Sequence, residues 1–306
     1  MKVIVAGLGI QGLKRVKIVG NDLVCTVDPY KKNANFSSIN QVPLELYDAA
    51  ILAVPEETKY DLIKYLLSNS KHILVEKPLL LTSLEKFSEI QNLAKEKNVF
   101  VYSAYNHRFE PQIQRVKKLL ENKVLGRVYS CNLFYGNGTA KLVKESPWRD
   151  QKSGVLSDLG SHLFDLVDFW FDAKKIDKVQ SRLSNFENLS PDNAELLFEM
   201  SGIHFNLKMT YCSWKNNFSC EIIGENGSLN INGLCKWGNS ELVHSIRKLP
   251  SGKPREKKII EFENNETLNM EYNYFKNMVN LNAQTSLVKD RWIFSNIMEI
   301  YKGYDN

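Results

Sequence analysis

The chain reads as an α/β protein: a doubly wound parallel sheet over residues 1–122, then a second α/β domain over residues 123–306 around a large, mostly antiparallel sheet. Three observations predict this. Short, continuous apolar runs alternate with helical stretches through the first third, as in a parallel sheet covered on both faces. A glycine-rich turn joins the first apolar run to the first helix. After Gly126 that alternation gives way to successive strands separated by turn signals.

Taken in order, residues 3–6 are strand and 12–19 have helical spacing. Residues 23–27 form a second strand, ending on Asp28-Pro29. Residues 31–46 are polar and short of apolar periodicity, so this crossover is expected to lack a full helix. A third strand over 49–54 stops at Pro55, and 57–67 is helical, with Leu62, Ile63, Leu66 and Leu67 as its apolar stripe. Strand 73–76, helix 83–97 and strand 99–104 complete the first sheet. The second domain is expected to hold strands at 128–134, 178–186, 194–200, 203–211, 218–223 and 228–232. Ser201-Gly202 and Glu225-Asn226-Gly227 mark hairpin turns there. A helix over 156–171 interrupts this meander, and helices over 267–281 and 290–301 close the chain.

Hydrophobic residues make up 43% and charged residues 25% of the 306, which places the chain among soluble globular proteins. The net charge of +5 comes from lysines spread along helices and loops. No basic run with interleaved aromatics is present, so nucleic acid is not the expected partner, whereas an anionic small molecule is compatible. The five cysteines (Cys25, Cys131, Cys212, Cys220 and Cys235) lack metal-ligand spacing and read as reduced thiols, so no metal is expected. The first strand begins too early for a signal core, and no apolar run is long enough to span a bilayer. A cytoplasmic location, away from membranes, is the expectation.

Three clusters carry chemistry. Gly7, Gly9 and Gly12 stand as G-x-G-x-x-G directly after a strand and before a helix. Such a turn lets a pyrophosphate approach the backbone and sit on the free N–H groups of a helix N-terminus, here with Ile10 and Gln11. Asp28, at the end of strand two, is placed to accept hydrogen bonds from an adenosine ribose, which favours NAD; Lys31-Lys32 keep NADP open. Ile73-Leu74-Val75-Glu76-Lys77-Pro78 then delivers a lysine to the carboxyl end of a parallel strand, where open α/β sheets bind ligands. Adjacent strand residues face opposite sides, so Glu76 and Lys77 do not simply pair with each other. Asp158 and His162 lie four apart on the predicted helix, hence on one face, with Leu159, Leu163, Leu166, Val167 and Phe169 as its buried side. Imidazole suits proton exchange near neutral pH. Asp165 and Asp168 read as structural. Tyr105-Asn106-His107-Arg108-Phe109 and Trp148-Arg149 add aromatic and guanidinium groups suited to polyol or phosphate recognition.

The order of these motifs resembles the glucose–fructose oxidoreductase/inositol dehydrogenase (Gfo/Idh/MocA) family over nearly the whole chain. Gly7–Gly12, Glu76-Lys77-Pro78, Asn106–Phe109, Trp148-Arg149, the D-x-G-x-H-x-x-D run Asp158–Asp165 and the hairpin Ile222–Leu229 carry it. The resemblance implies a Rossmann domain followed by a domain whose open sheet carries oligomer contacts, and hence a homo-oligomer. It also implies NAD(P)-dependent hydride transfer at a secondary alcohol or ketone of a sugar, cyclitol or nucleotide sugar. Lys77, Asp158 and His162 match the family's catalytic trio, and Pro78 the proline that shapes the lysine turn. Pro55, Glu76 and Lys77 join the glycine turn and Asp28 on the cofactor side; Tyr105, Asn106, Arg108, Trp148 and Arg149 fall where substrate contacts are usual. Three departures stand out. Lys59 occupies the place where the family often has a histidine four residues after the strand-three proline. The lead into the Asp/His helix is reduced to Ser153-Gly154-Val155, and the 31–46 crossover is short.

Two other readings remain at this level: a non-catalytic nucleotide-binding regulator of the same fold, and a reductase of a non-sugar ring. Retention of all three trio residues weighs against the first. The polar cluster of Asn106, His107, Arg108 and Arg149 weighs against the second.

Overall fold

The computed structural model describes residues 1–146 and 149–305. The chain divides into two compact units: Met1–Asn106 with Leu268–Ser295, and His107–Thr267 with Asn296–Asn306.

The first unit is a five-stranded parallel sheet in the order β2-β1-β3-β4-β5, made of β1 (Val3–Ala6), β2 (Leu23–Val27), β3 (Ala49–Leu52), β4 (His72–Glu76) and β5 (Val101–Ala104). The chain leaves β1 to one side for β2 and returns to its other side for β3. The topological switch point, where open α/β sheets bind ligands, therefore lies between β1 and β3. Helices α1 (Ile10–Val19), α2 (Glu56–Ser68) and α3 (Leu84–Glu96) connect the strands. Between β2 and β3 there are only 3₁₀ turns, Ile39–Gln41 and Leu44–Leu46, as expected for a stretch without apolar periodicity. Val3, Val5, Ala49, Ile51 and Leu74 of the sheet pack with Val19 of α1 on one face. Tyr272 and Phe275 of α7 (Thr267–Asn280) join the same core. Fully burying one such aromatic contributes roughly 1.5–3 kcal/mol, enough to hold α7 on the sheet.

The second unit is an eight-stranded sheet in the order β13-β12-β11-β10-β6-β9-β8-β7. Its strands are β6 (Val128–Gly136), β7 (Asp177–Ser184), β8 (Asn193–Met200), β9 (Ile203–Thr210), β10 (Asn217–Gly224), β11 (Gly227–Asn232), β12 (Ser240–Ile246) and β13 (Arg255–Glu261). The β6/β9 pair is parallel and every other pair antiparallel. Six of these strands are those expected from the sequence; β12 and β13 extend the meander. Arg255–Glu261 is exposed along almost its whole length, so an edge strand wet on both faces shows no alternation to read. Three helices complete the unit: α4 (Pro111–Glu121), the short α5 (Ala140–Lys144) and α6 (Ser161–Phe171). A last helix, α8 (Val288–Asp305), ends the described chain.

The helix expected over 156–171 begins differently. Leu156–Gly160 is a π turn, and regular α-helix starts only at Ser161. A Cβ on Gly160 would stand 2.7 Å from the sulfur of Met209, so glycine lets this turn lie against β9. Phe169, expected on the buried side, is half-buried; its ring carries the guanidinium of Arg108, 5.0 Å from the centroid.

Candidate functional site

In the first unit, the glycine turn follows β1 at the switch point. Gly7 has φ +88°, and a Cβ there would sit 2.3 Å from the carbonyl oxygen of Ala53. A Cβ on Gly12 would sit 1.7 Å from the carbonyl oxygen of Gly7. Both positions therefore demand glycine, one for the close approach to β3 and one for packing α1 against the turn. Gly9 is the opposite case: nothing lies within 4 Å of its Cβ position. Gly9 also begins α1 with no side chain capping it, so the first N–H groups of the helix remain available to an anion. Ile10 and Gln11 are exposed beside that opening. Bare backbone, open space and an uncapped helix start fit a dinucleotide pyrophosphate.

Asp28 closes the turn from β2. The Leu8 N–H donates to its Oδ2 at 2.7 Å, and the Tyr30 and Lys31 N–H groups donate to Oδ1 at 2.9 and 3.1 Å. Burial pushes this carboxyl up, but the three backbone donors outweigh it and hold it below the ordinary aspartate value. A fixed negative charge thus stands at the end of β2, and it also braces the glycine turn.

Pro55 precedes α2, and Lys77 follows β4, half-buried. The Lys77–Pro78 peptide is cis. Glu76 accepts from Nε of Arg15 at 2.6 Å, while Nη2 of Arg15 donates to Glu271 Oε2 at 2.6 Å. Arg15 and Glu271 are both buried. Desolvation works against the Arg15 charge, but the two carboxylates more than offset it and hold the guanidinium protonated. Burial pushes Glu271 up to about 7, Arg15 opposing and the Glu76 charge adding to the rise. Tyr105, just after β5, is buried with the Lys289 ammonium 4.5 Å from its ring centre; Asn106 opens the following 3₁₀ turn.

In the second unit, Asp158 sits in the π turn. Its Oδ2 accepts from the hydroxyl of Tyr211 at 3.1 Å and faces Nη2 of Arg149 at 3.4 Å. Burial first, and the Asp158 charge second, push both Tyr211 and Tyr135 up, so each stays a neutral phenol. One residue into α6, the ring of His162 stacks on that of His107, centroids 3.9 Å apart and planes 14° from parallel. The Lys236 ammonium lies 2.5 Å from His107 Nε2. An ammonium can only donate, so Nε2 is the acceptor and the His107 proton sits on Nδ1. Tyr135 and Trp237 border the pair. The second unit thus brings Asp158, His162 and Arg149 together with an aromatic rim that sequence reading did not single out. Tyr135 is the last residue but one of β6 and Tyr211 directly follows β9, its parallel neighbour; a polar-tipped aromatic at a strand end was the available signal.

Arg108 is engaged within its own unit. Its Nε donates to both carboxylate oxygens of Asp165, at 2.9 and 2.8 Å, and its Nη2 reaches Asp168 at 2.6 Å. Trp148 lies outside the described residues. All five cysteines are free thiols. Among the described residues, no group of three or more His, Cys, Asp or Glu side chains could hold a metal ion, and no helix is long and apolar enough to cross a membrane.

Residues 2–105 match the model of an oxidoreductase family with an NAD-binding Rossmann fold, and residues 113–230 match the GFO/IDH/MocA C-terminal domain. Over 199 residues the chain is 29% identical to a glucose-6-phosphate 3-dehydrogenase of Bacillus subtilis (strain 168), a match covering 59% of this chain and 57% of that protein. The matches span 32% to 57% of the length of the first curated relatives. A putative NADPH-dependent oxidoreductase from Desulfitobacterium hafniense superposes with a TM-score of 0.85 at 19% identity, over 99% of this chain and 94% of that one. A UDP-N-acetylglucosamine 3-dehydrogenase from Acidithiobacillus ferrooxidans gives 0.82 at 17% identity, over 98% and 96%. At these identities the structural likeness is one of fold.

Proposed function

Because the chain belongs to the GFO/IDH/MocA oxidoreductase family, whose NAD-binding Rossmann fold forms its first unit, we propose that it is an NAD-dependent dehydrogenase or reductase. Its substrate is a secondary alcohol or ketone on a sugar, sugar phosphate, cyclitol or nucleotide sugar. The observation that carries this reading is the His162 cluster, an imidazole stacked on His107 with Asp158 in the adjoining π turn, itself held by Tyr211 and faced by Arg149. That is proton-handling chemistry in a chain that also carries a dinucleotide cradle. The relatives' names, a sugar-phosphate and a nucleotide-sugar 3-dehydrogenase, support the carbohydrate class.

A bound nicotinamide supplies the hydride acceptor or donor at its C4. In the oxidative direction His162 accepts the hydroxyl proton of the substrate. Asp158, braced by the Tyr211 hydroxyl and Arg149, orients the imidazole or the substrate. Lys77 donates a hydrogen bond to the substrate oxygen as it becomes a carbonyl. Gly7, Gly9, Ile10, Gln11, Gly12, Asp28, Pro55 and Glu76 shape the cofactor side, and the Asp28 charge favours NAD over NADP by repelling a 2′-phosphate. Tyr105, Asn106, Arg149 and Trp148 are assigned to substrate recognition, and Arg108, paired with Asp165 and Asp168, braces its own unit. The chain acts in the cytoplasm as a homo-oligomer, in a sugar-modifying step of surface-polysaccharide assembly. The oligomer is assigned to the open sheet of the second unit, where Asn132, Asn206, Lys208 and Glu221 line a concavity of about 450 Å³ together with apolar side chains such as Leu133 and Ile231.

The test is to incubate the protein with NAD and a panel of glucose 6-phosphate, free sugars, cyclitols and nucleotide sugars, following nicotinamide reduction, and then to run NADH with the corresponding ketones. Turnover with one class is expected. Lys77→Ala and His162→Ala each lower it by roughly 10²–10⁴, the usual size of a general acid–base contribution. Wild-type turnover in both variants would sink the mechanism, and NADH binding without turnover on any of the panel would favour a regulator.

A further inference from the structure

The residues around Lys77 are held by a second, buried lysine. Lys59 lies in the first turns of α2 with its side chain only 3% exposed. Its ammonium contacts Glu56 Oε2 at 2.6 Å, the carbonyl oxygen of Glu76 at 2.7 Å and that of Pro78 at 2.5 Å. An ammonium has three N–H donors, and all three are used. The other oxygen of Glu56 accepts the Leu80 N–H at 2.6 Å. Two side chains one helical turn apart therefore grip residues 76, 78 and 80, the alternate positions that flank and follow Lys77. A buried charge is tolerated only when it is paired and hydrogen-bonded, and here a carboxylate supplies the pairing. An ordinary surface i,i+3 pair would have no reason to reach two main-chain carbonyls.

The geometry points to Lys59 and Glu56 as positioning residues that hold the backbone on both sides of Lys77 and so aim its ammonium. This rests on the reading of Lys77 as a group that touches the substrate. Displacing a reacting group by about 1 Å can cost on the order of 10² in rate, so the clamp acts on turnover more than on binding. Glu76 is held from its other side as well, by Arg15.

Wild type, Lys77→Ala, Lys59→Met, Lys59→His and Glu56→Gln are compared with NAD and the same panel, recording kcat, KM for NAD and the melting temperature. The expected result is a kcat roughly 10- to 100-fold lower in Lys59→Met, with KM for NAD changed by less than about threefold. Lys59→His, which restores a ring N–H donor, recovers part of the loss, and Glu56→Gln moves kcat in the same direction as Lys59→Met. Wild-type kcat in folded Lys59→Met, with Lys77→Ala impaired, overturns the positioning role and leaves the reading of the site standing. If Lys59→Met fails to fold, Glu56→Gln decides, and an unchanged kcat there overturns the role. A wild-type protein silent on the whole panel, or Lys77→Ala at wild-type kcat, removes the reading of the site and this role with it.

Discussion

Glu271 makes the stability of the first unit depend on pH in a direction unusual for a carboxylate. It is fully buried, shares Arg15 with Glu76, and burial holds its acid at about 7 instead of the ordinary 4.5, with Arg15 and Lys289 opposing. Because the folded value lies above the unfolded one, this group's contribution is fully present below about 4.5. It is lost as the pH rises through about 7. Moving an acid from 4.5 to about 7 amounts to about 3 kcal/mol. Glu271→Gln removes the titration while keeping an oxygen acceptor for Arg15. Melting temperatures of the two proteins should therefore lie close together at the acid end of the window. The wild type should then fall behind by about 6–12 °C at the alkaline end, at about 2–4 °C per kcal/mol. The measurement is a differential scan of both proteins across that window in one buffer series. A gap that stays constant with pH, or one that narrows as the pH rises, would refute the argument.

Two further perturbations follow from local geometry. Gly12→Ala places a Cβ 1.7 Å from the Gly7 carbonyl, which only a backbone shift relieves. NADH binding, read by its fluorescence, should weaken by roughly tenfold or more, or about 1.4 kcal/mol; wild-type affinity would contradict the cradle. In the second unit, buried Asp192 accepts the N–H groups of Phe186, Glu187 and Asn188 at 3.0, 2.6 and 3.1 Å. Asp192→Ala leaves those donors without their acceptor, at a cost of about 3 kcal/mol. Amide exchange at residues 186–188 should accelerate; unchanged protection would show that the turn is held by other contacts.

The parts legible in the sequence were those written within a few neighbouring residues. Continuous apolar runs specified the strands of the first sheet, because both of its faces are covered. Gly7, Gly9 and Gly12 marked the turn because two of them stand where no side chain fits. The absence of apolar spacing over 31–46 announced a crossover without a full helix. Lys59 was visible only as an oddity, since its i,i+3 carboxylate is local but the carbonyls it grips belong to a strand end some twenty residues on.

The tertiary structure decided the rest, by bringing distant segments together. Arg15 meets Glu271 across 256 residues because α7 returns to the first sheet, and no periodicity encodes that path. Arg108 reads in sequence as a guanidinium suited to polyol or phosphate recognition, and the fold turns it onto Asp165 and Asp168. The π turn at Leu156–Gly160 lies where Gly160 meets Met209 of β9, a contact that a spacing of four along the chain does not contain. Backbone preference and hydrophobic period act over one turn or one strand, so they are readable in the chain itself. Burial of charge, pairing of side chains and the setting of an acid near neutrality depend on which atoms displace water, and that exists only once the chain has packed.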